Sequence, residues 1–412
     1  MSVPVSASSA PALMGSFRFA ARTEGSKPSA IREILKVAES PEIISFAGGL
    51  PAPELFPKEA IAAATSAVFA TDAAPALQYG VSEGYRPLRE WVSAHLFRTA
   101  GIAAPSERIL ILHGSQQGLD LTAKVLLDPG DIVVTENPAY LGALQAFRSY
   151  QANVIGLESD DEGLLPDALD HWLRTTHRPA KFLYLNSSFQ NPTGTSLSPQ
   201  RRLALAQLAA RHALPILEDD PYGELRFAGS PQTPLAGLPG DHSWIYLGTS
   251  SKILAPGLRV AWLVTSDKRV FDRLVTAKQS TDLHTSTLTQ RLVWETVRQA
   301  GFLDGHLSVL RRVYGQRRTA MLTALQTHFP SGCRWTQPDG GLFLWVTTPD
   351  SVDTENLLPV ALAEKVAFVP GAPFWIDRPV KNTLRLNFSN ASEERISLGI
   401  ERLGRALGKA LQ

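Results

Sequence analysis

Short apolar runs alternate with helix-like patterns through the middle of the chain, and that alternation predicts the architecture. Arg108 to Leu112 reads as a strand and Ser115 to Leu127 as the helix after it. Ile132 to Thr135 reads as the next strand, followed by a helix near Leu141 to Tyr150. Strands follow near Val154 to Leu157 and Lys181 to Leu185, then a helix over Pro199 to His212. Pro215 to Glu218, Ile245 to Leu247 and Val260 to Val264 complete the series of strands. These runs are apolar throughout, so both faces of each strand are expected to be covered. Such strands alternating with helices predict an α/β fold with a mostly parallel sheet between helical layers.

Towards the C-terminus the pattern changes. Leu307 to Phe329 reads as one long helix carrying Arg311, Arg312, Arg317 and Arg318. Gly341 to Val346, Val366 to Val369 and Thr383 to Phe388 read as strands, with helices near Thr354 to Glu364 and Glu393 to Leu411. This part predicts a smaller α+β domain.

Composition narrows the function classes. A chain of 412 residues is long enough for two or three domains with large cores. The net charge of +1 advertises no nucleic-acid surface. No stretch approaches the ~18 apolar residues of a membrane span. The single cysteine, Cys333, excludes an internal disulfide and fits a reducing, cytoplasmic setting. Met1 to Ala21 is rich in Ser, Ala and Pro and lacks the form of a signal peptide, so it reads as a flexible arm. The histidines show no metal-ligand spacing, and no metal is expected. Neither a Gly-x-Ser-x-Gly elbow nor a phosphate-loop motif is present.

The candidate chemistry centres on Lys252, in Gly248-Thr-Ser-Ser-Lys-Ile-Leu-Ala-Pro-Gly-Leu-Arg259. An amine forms a Schiff base only when neutral, and burial or nearby cations strip its proton. Thr249 and Ser251 offer hydroxyls to an anion and Arg259 offers charge. Together they suggest a lysine bound to a phosphorylated aldehyde, pyridoxal phosphate. Four further segments point to the same ligand, each with a plainer reading beside it. In His113-Gly-Ser-Gln-Gln-Gly118, Ser115 and Gln116 open a helix whose N-terminus suits phosphate, or simply cap it. Asn191, before a proline at a strand end, suits a phenolate oxygen, or an ordinary turn. Asp219, in Glu218-Asp-Asp-Pro-Tyr222, suits a pyridine nitrogen, with Tyr222 near the ring oxygen, or the carboxylates are merely solvated. Arg385, in Thr383-Leu-Arg-Leu-Asn-Phe388, suits an α-carboxylate, or a structural ion pair.

With these residues in this order, the chain resembles fold-type I pyridoxal-phosphate aminotransferases of class I/II. The resemblance is greatest to the branch of bacterial α-aminoadipate and kynurenine/α-aminoadipate aminotransferases. It runs from about Ser29 to Leu411 and includes Ser45-Phe-Ala-Gly-Gly-Leu-Pro-Ala-Pro-Glu-Leu-Phe-Pro57 and Leu77-Gln-Tyr-Gly80. It implies a large domain built on a mostly parallel seven-stranded sheet and a small α+β domain. The expected division is an arm over 1–28, a helix and lid segment over 29–60 belonging to the small domain, a large domain over 61–300 and a small domain over 301–412. It also implies roles. Lys252 carries the cofactor and moves the α-proton, while Asp219 faces the ring nitrogen. Tyr222 and Asn191 bond the ring oxygen, and Tyr140 stacks on the ring. Ser115, Gln116, Thr249, Ser251 and Arg259 hold the phosphate, and Tyr79 reaches the phosphate of a neighbouring subunit in a homodimer. Gly49, Asn191 and Arg385 receive the substrate carboxylate. Ser29 and Arg32 lie on a mobile helix where Arg32 meets a distal carboxylate, as in glutamate or 2-aminoadipate. Two departures stand near this site: Asn186-Ser-Ser replaces an Ile-Pro-Ser-like run, and His113 stands where Thr is common. Both imply a shifted substrate range.

The expected reaction moves the amino group of an L-amino acid to a 2-oxo acid, with 2-oxoglutarate the expected acceptor, by a ping-pong route. A β-lyase on the same scaffold shares the ring chemistry and stays open. A DNA-binding regulator of the aminotransferase-like kind is a remote reading, since only about 40 residues precede Ser45.

Overall fold

The computed structural model describes residues 17–24 and 40–412. The strands, in chain order, are β1 (Ile44–Ser45), β2 (Ile109–Leu112), β3 (Ile132–Glu136), β4 (Asn153–Leu157), β5 (Ser159–Asp160), β6 (Gly163–Leu164), β7 (Ala180–Leu185), β8 (Ile216–Asp219), β9 (Trp244–Thr249) and β10 (Ala261–Thr265). They are followed by β11 (Arg334–Trp335), β12 (Phe343–Thr347), β13 (Val366–Ala367), β14 (Val369–Pro370) and β15 (Thr383–Asn387). Seven form the central sheet in the order β2-β10-β9-β8-β7-β3-β4. Only β10 runs antiparallel to its neighbours. This is the expected α/β sheet of the fold-type I transferases, and β2, β3, β8 and β10 are buried at every position.

Both faces are covered, as the unbroken apolar runs require. One face carries the helices Ser115–Leu126, Leu141–Ser149 and Lys268–Thr281, which bury Leu119, Phe147 and Leu274 against Leu110, Val133 and Leu263. The other carries the helix Pro199–Arg211, with Leu205 and Leu208 over Leu183 and Ile216. Pro199 opens that helix behind Ser198, whose hydroxyl accepts from the Arg201 N–H.

The smaller unit is a sheet in the order β11-β12-β15-β14, packed with the helices Phe302–His328, Thr354–Ala363 and Glu393–Ala410. Two sequence readings change here. Val366 to Val369 is not one strand. Val366–Ala367 pairs in parallel with β1, whereas Val369–Pro370 pairs with β15, so the chain turns from one sheet to another between them. The long helix also begins earlier, at Phe302, after Gly301 in the left-handed region (φ 73°). Helices unread in the sequence include Lys58–Thr71, Arg86–Ala100, Pro166–Thr175, Lys268–Thr281 and Thr287–Val297. No helix among the described residues is long and apolar enough to cross a membrane.

Candidate active site

Strands β2, β3, β7, β8 and β9 run the same way, so their C-terminal ends share one edge of the sheet, where ligands of open α/β sheets bind. Because β10 runs backwards, Arg259, two residues before it, arrives at that same edge. There a cavity of about 260 Å³ is lined by Lys252, Asp219, Tyr222, Asn191, Arg385, Tyr140, Gly49 and the polar residues Ser115, Gln116, Thr249, Ser251 and Arg259. The sequence-predicted constellation is thus brought together from segments separated by more than 300 residues.

Lys252 Nζ donates to Gly49 O at 2.7 Å. Enclosure, then the Arg385 and Arg259 guanidinium groups, push its pKa down to about 8. Asp219 ends β8 and is 3 % exposed. Its Oδ2 accepts from Tyr184 OH at 3.1 Å, and its Oδ1, also buried, has no partner. Burial pushes this carboxyl up to about 7; the Tyr184 bond opposes that shift and the neighbouring Asp220 adds to it.

Arg385 sits mid-strand in β15, buried between the rings of Phe343 and Phe374, with its guanidinium carbon 4.3 and 5.3 Å from their centroids. Nη1 donates to Asn191 Oδ1 at 2.7 Å and Nη2 to Ala47 O at 2.6 Å, while Nε has no partner. Among the described residues no carboxylate pairs with it, and enclosure pushes its pKa down to about 10. It therefore stays charged near neutral pH, with a guanidinium chemically suited to a carboxylate. Since Arg385 occupies the Asn191 oxygen, the Asn191 amide nitrogen is the group that donates on that side, towards Tyr222. Tyr222 is buried, and burial holds its phenol far above the ordinary range.

The anion cradle lies opposite. Gly114 (φ 80°) precedes the helix Ser115–Leu126, so free N–H groups of the first turn face the cavity edge. A Cβ on Gly114 would come within 2.1 Å of Arg259 Nη2, so only glycine lets the guanidinium lie over the loop. Arg259 itself adopts φ 52°, an uncommon conformation for a non-glycine residue. Thr249 Oγ1 donates to Ser251 Oγ at 3.0 Å, and Gln116 Nε2 donates to Gly142 O at 2.9 Å.

One expected residue, Tyr79, is not in this cavity. Tyr79 is 79 % exposed and borders a separate hollow with Tyr85 and Arg291. Ser29 and Arg32 lie outside the described residues. Sequence reasoning missed Tyr184, Pro221 and Pro256, and took Asn186 only as a departure from pattern. Tyr184 has no local signal, being one more apolar position in a buried strand.

A partly neutral amine beside an anion cradle serves a phosphorylated aldehyde, and a buried arginine without a carboxylate serves an incoming acid. Fold and site thus define a pyridoxal-phosphate enzyme that handles amino acids. The family model of aminotransferase class I and II matches residues 43–403, and the chain belongs to that family. It is 45 % identical over 385 residues to the 2-aminoadipate transaminase of Thermus thermophilus, covering 92 % of this chain and 94 % of that one. It is 43 % identical over 397 residues to aromatic-amino-acid aminotransferase 1 of Thermococcus litoralis, covering 96 % and 95 %. A solved structure of Pyrococcus horikoshii kynurenine aminotransferase, in complex with PMP, superposes with a TM-score of 0.91 at 43 % identity, over 96 % of this chain and 98 % of that one.

The enzyme is an aminotransferase, and its cofactor is pyridoxal 5′-phosphate. The residues present fit that group: the free Asp219 Oδ1 suits a protonated ring nitrogen, and the Gly114–Arg259 packing leaves an anion cradle of the right chemistry.

Proposed function

We propose that this aminotransferase takes 2-aminoadipate, glutamate and aromatic or aliphatic L-amino acids as donors and passes their amino group to 2-oxoglutarate, in two half-reactions at one site. The observation that carries the reading is the unpaired, buried Arg385 beside Lys252. The similarity to enzymes named for aromatic amino acids and for 2-aminoadipate supports the breadth of donors.

When bound, pyridoxal phosphate supplies an aldehyde for amines and a ring that takes up electrons from the Cα–H bond. The rest is the work of this chain. Ser115, Gln116, Thr249, Ser251 and Arg259 hold the phosphate, and Asp219 holds the ring nitrogen protonated. Asn191 and Tyr222 hold the ring oxygen, and Tyr140 covers the ring. Arg385, with Asn191 and the Gly49 backbone, orients the substrate carboxylate. Lys252 Nζ, released by the incoming amine, would take the Cα proton and deliver it to the carbon that carried the aldehyde, two bonds away. Arg32 and Ser29 are assigned to the distal end of the substrate.

We also infer a homodimer in which Tyr79 completes the partner's phosphate site. Its exposure beside exposed Leu77 and Val81 supports this, and sedimentation as a monomer would contradict it. The pairing of β1 with β13 supports placing segment 29–60 with the small domain, and the single cysteine supports a cytoplasmic setting.

The test is a spectral titration of the holoenzyme with single amino acids and no oxo acid. Bleaching of the visible band by glutamate and 2-aminoadipate is expected. Bleaching by aromatic or aliphatic donors alone would remove Arg32 from the assignment. Release of pyruvate and ammonia from a β-substituted amino acid, without transfer, would favour the lyase reading.

A further inference from the structure

Strand β7 lies between β3 and β8, and the residue that follows it, Asn186, touches what both neighbours present at their ends. Its backbone N–H donates to Glu136 Oε1 at 2.9 Å, on the last residue of β3. Its side-chain Nδ2 donates to the backbone O of Asp219 at 2.6 Å, on the last residue of β8. Its Oδ1 accepts from the backbone N of Asn191 at 2.8 Å, forward along its own loop. Asn186 is 3 % exposed, and it lines the catalytic cavity. One short side chain thus joins Asp219 and Asn191, the groups assigned above to the ring nitrogen and the ring oxygen of the cofactor.

We propose that Asn186 is a positioning residue that fixes Asp219 and Asn191 relative to each other and so sets the electronic state of the bound cofactor. This rests on the functional reading given above. The chemistry requires an amide. The span from a backbone acceptor on one strand end to a backbone donor on a loop needs a donor and an acceptor on one planar group, which asparagine carries and an apolar residue lacks. Without it, the buried Asn191 N–H would lose its acceptor and the Asp219 carbonyl its donor. Asn191 would then be free to turn away from the ring oxygen. Its amide nitrogen faces the cavity only while Arg385 holds its oxygen and Asn186 holds its backbone. Glu136, buried at 3 %, anchors Asn186 from behind.

The test uses the holoenzyme and reads the visible absorbance against pH, together with the affinity for pyridoxal phosphate. Asn186→Leu, close in size, removes both side-chain bonds. The expected result is an upward shift of the absorbance midpoint by about half a unit or more, because the anionic ring oxygen loses a donor. Cofactor affinity should fall roughly tenfold. Ser187→Ala is the control. Ser187 is fully buried next door and donates to Glu218, away from Asp219 and Asn191, so it carries comparable structural damage without the tie. An unchanged midpoint and affinity in Asn186→Leu would overturn the proposal, as would an equal shift in Ser187→Ala. If Asn186→Leu does not fold, Asn186→Asp decides. Protonated, the acid can donate to Asp219 O and accept from Asn191 N; ionised, it repels the carbonyl. Its spectrum should match the parent in mild acid and diverge as pH rises, and a spectrum matching the parent throughout would sink the idea. A parent protein with no visible band would instead contradict the aminotransferase reading itself.

Discussion

Lys252 shares a closed space with two guanidinium groups, and this governs when it can react. Its pKa is pushed down to about 8, so its neutral fraction grows as pH rises through that value. Loading of apoprotein with pyridoxal phosphate should therefore accelerate with pH and level off above about 8. Arg385→Leu removes one of the cations, raises the lysine's pKa and should move this profile to higher pH; an unmoved profile would contradict the stated cause. The same substitution should raise KM for every amino acid more than tenfold, for a charge-assisted bond worth about 1.5–3 kcal/mol. At Asp219 the relevant neighbour is Tyr184. Tyr184→Phe removes the only side-chain donor to that carboxylate among the described residues and should raise its pKa further above about 7. Cofactor affinity near neutral pH should then fall roughly five- to thirtyfold, and recover in part in alkaline buffer. Equal affinity in the two proteins at all pH values would refute this. Lys252, Asp219 and Asn191 were readable because each is a special side chain beside a turn or strand end, and Arg385 because it is a charge in the middle of an otherwise apolar strand. Tyr184 was not, since its hydroxyl acts through a contact between two strands that no local pattern encodes.

At the scale of elements, the site is a product of strand direction. Parallel strands were legible because their runs are apolar on both faces. The reversal of β10 was not, because direction within a sheet is set by packing and connection. Yet that reversal delivers Arg259 to the cradle. The split of Val366 to Val369 escaped for a related reason: each half is apolar, and only its partner strand tells them apart. In the helix Lys268–Thr281 the buried stripe Phe271, Leu274 and Val275 ends on Lys278, whose buried amine bonds Asp282 and Gln117 and obscures the period. The cradle gives a test at this scale. Gly114→Ala imposes a backbone conformation costing about 1–3 kcal/mol and pushes Arg259 aside. Affinity for the cofactor should drop at least tenfold, with a smaller loss for pyridoxal lacking the phosphate. Equal losses for the two compounds would place the damage elsewhere.

At the scale of the molecule, the buried carboxyls at the strand ends couple the site to stability. Glu136 is pushed up to about 8 and Asp219 to about 7, both by burial. Each exceeds its unfolded value near 4, so the folded apoprotein holds more protons than the unfolded chain across that window. Stability from these two groups is full below about pH 4, the unfolded value, and declines as pH rises towards about 8. The apoprotein Tm should therefore fall between about pH 5.5 and pH 8.5. Glu136→Gln, which keeps the acceptor for Asn186, should flatten that slope; a slope as steep as in the parent would remove Glu136 as its source. On the proposed assignment, binding of the cofactor would give the free Asp219 oxygen a cationic partner and link fold to function. The claim on which the whole account depends is that Lys252 carries that cofactor. Borohydride reduction of the holoenzyme followed by peptide mass spectrometry tests it directly. A phosphopyridoxyl adduct confined to Lys252 is the predicted result, and an adduct on another lysine, or none, would contradict the account.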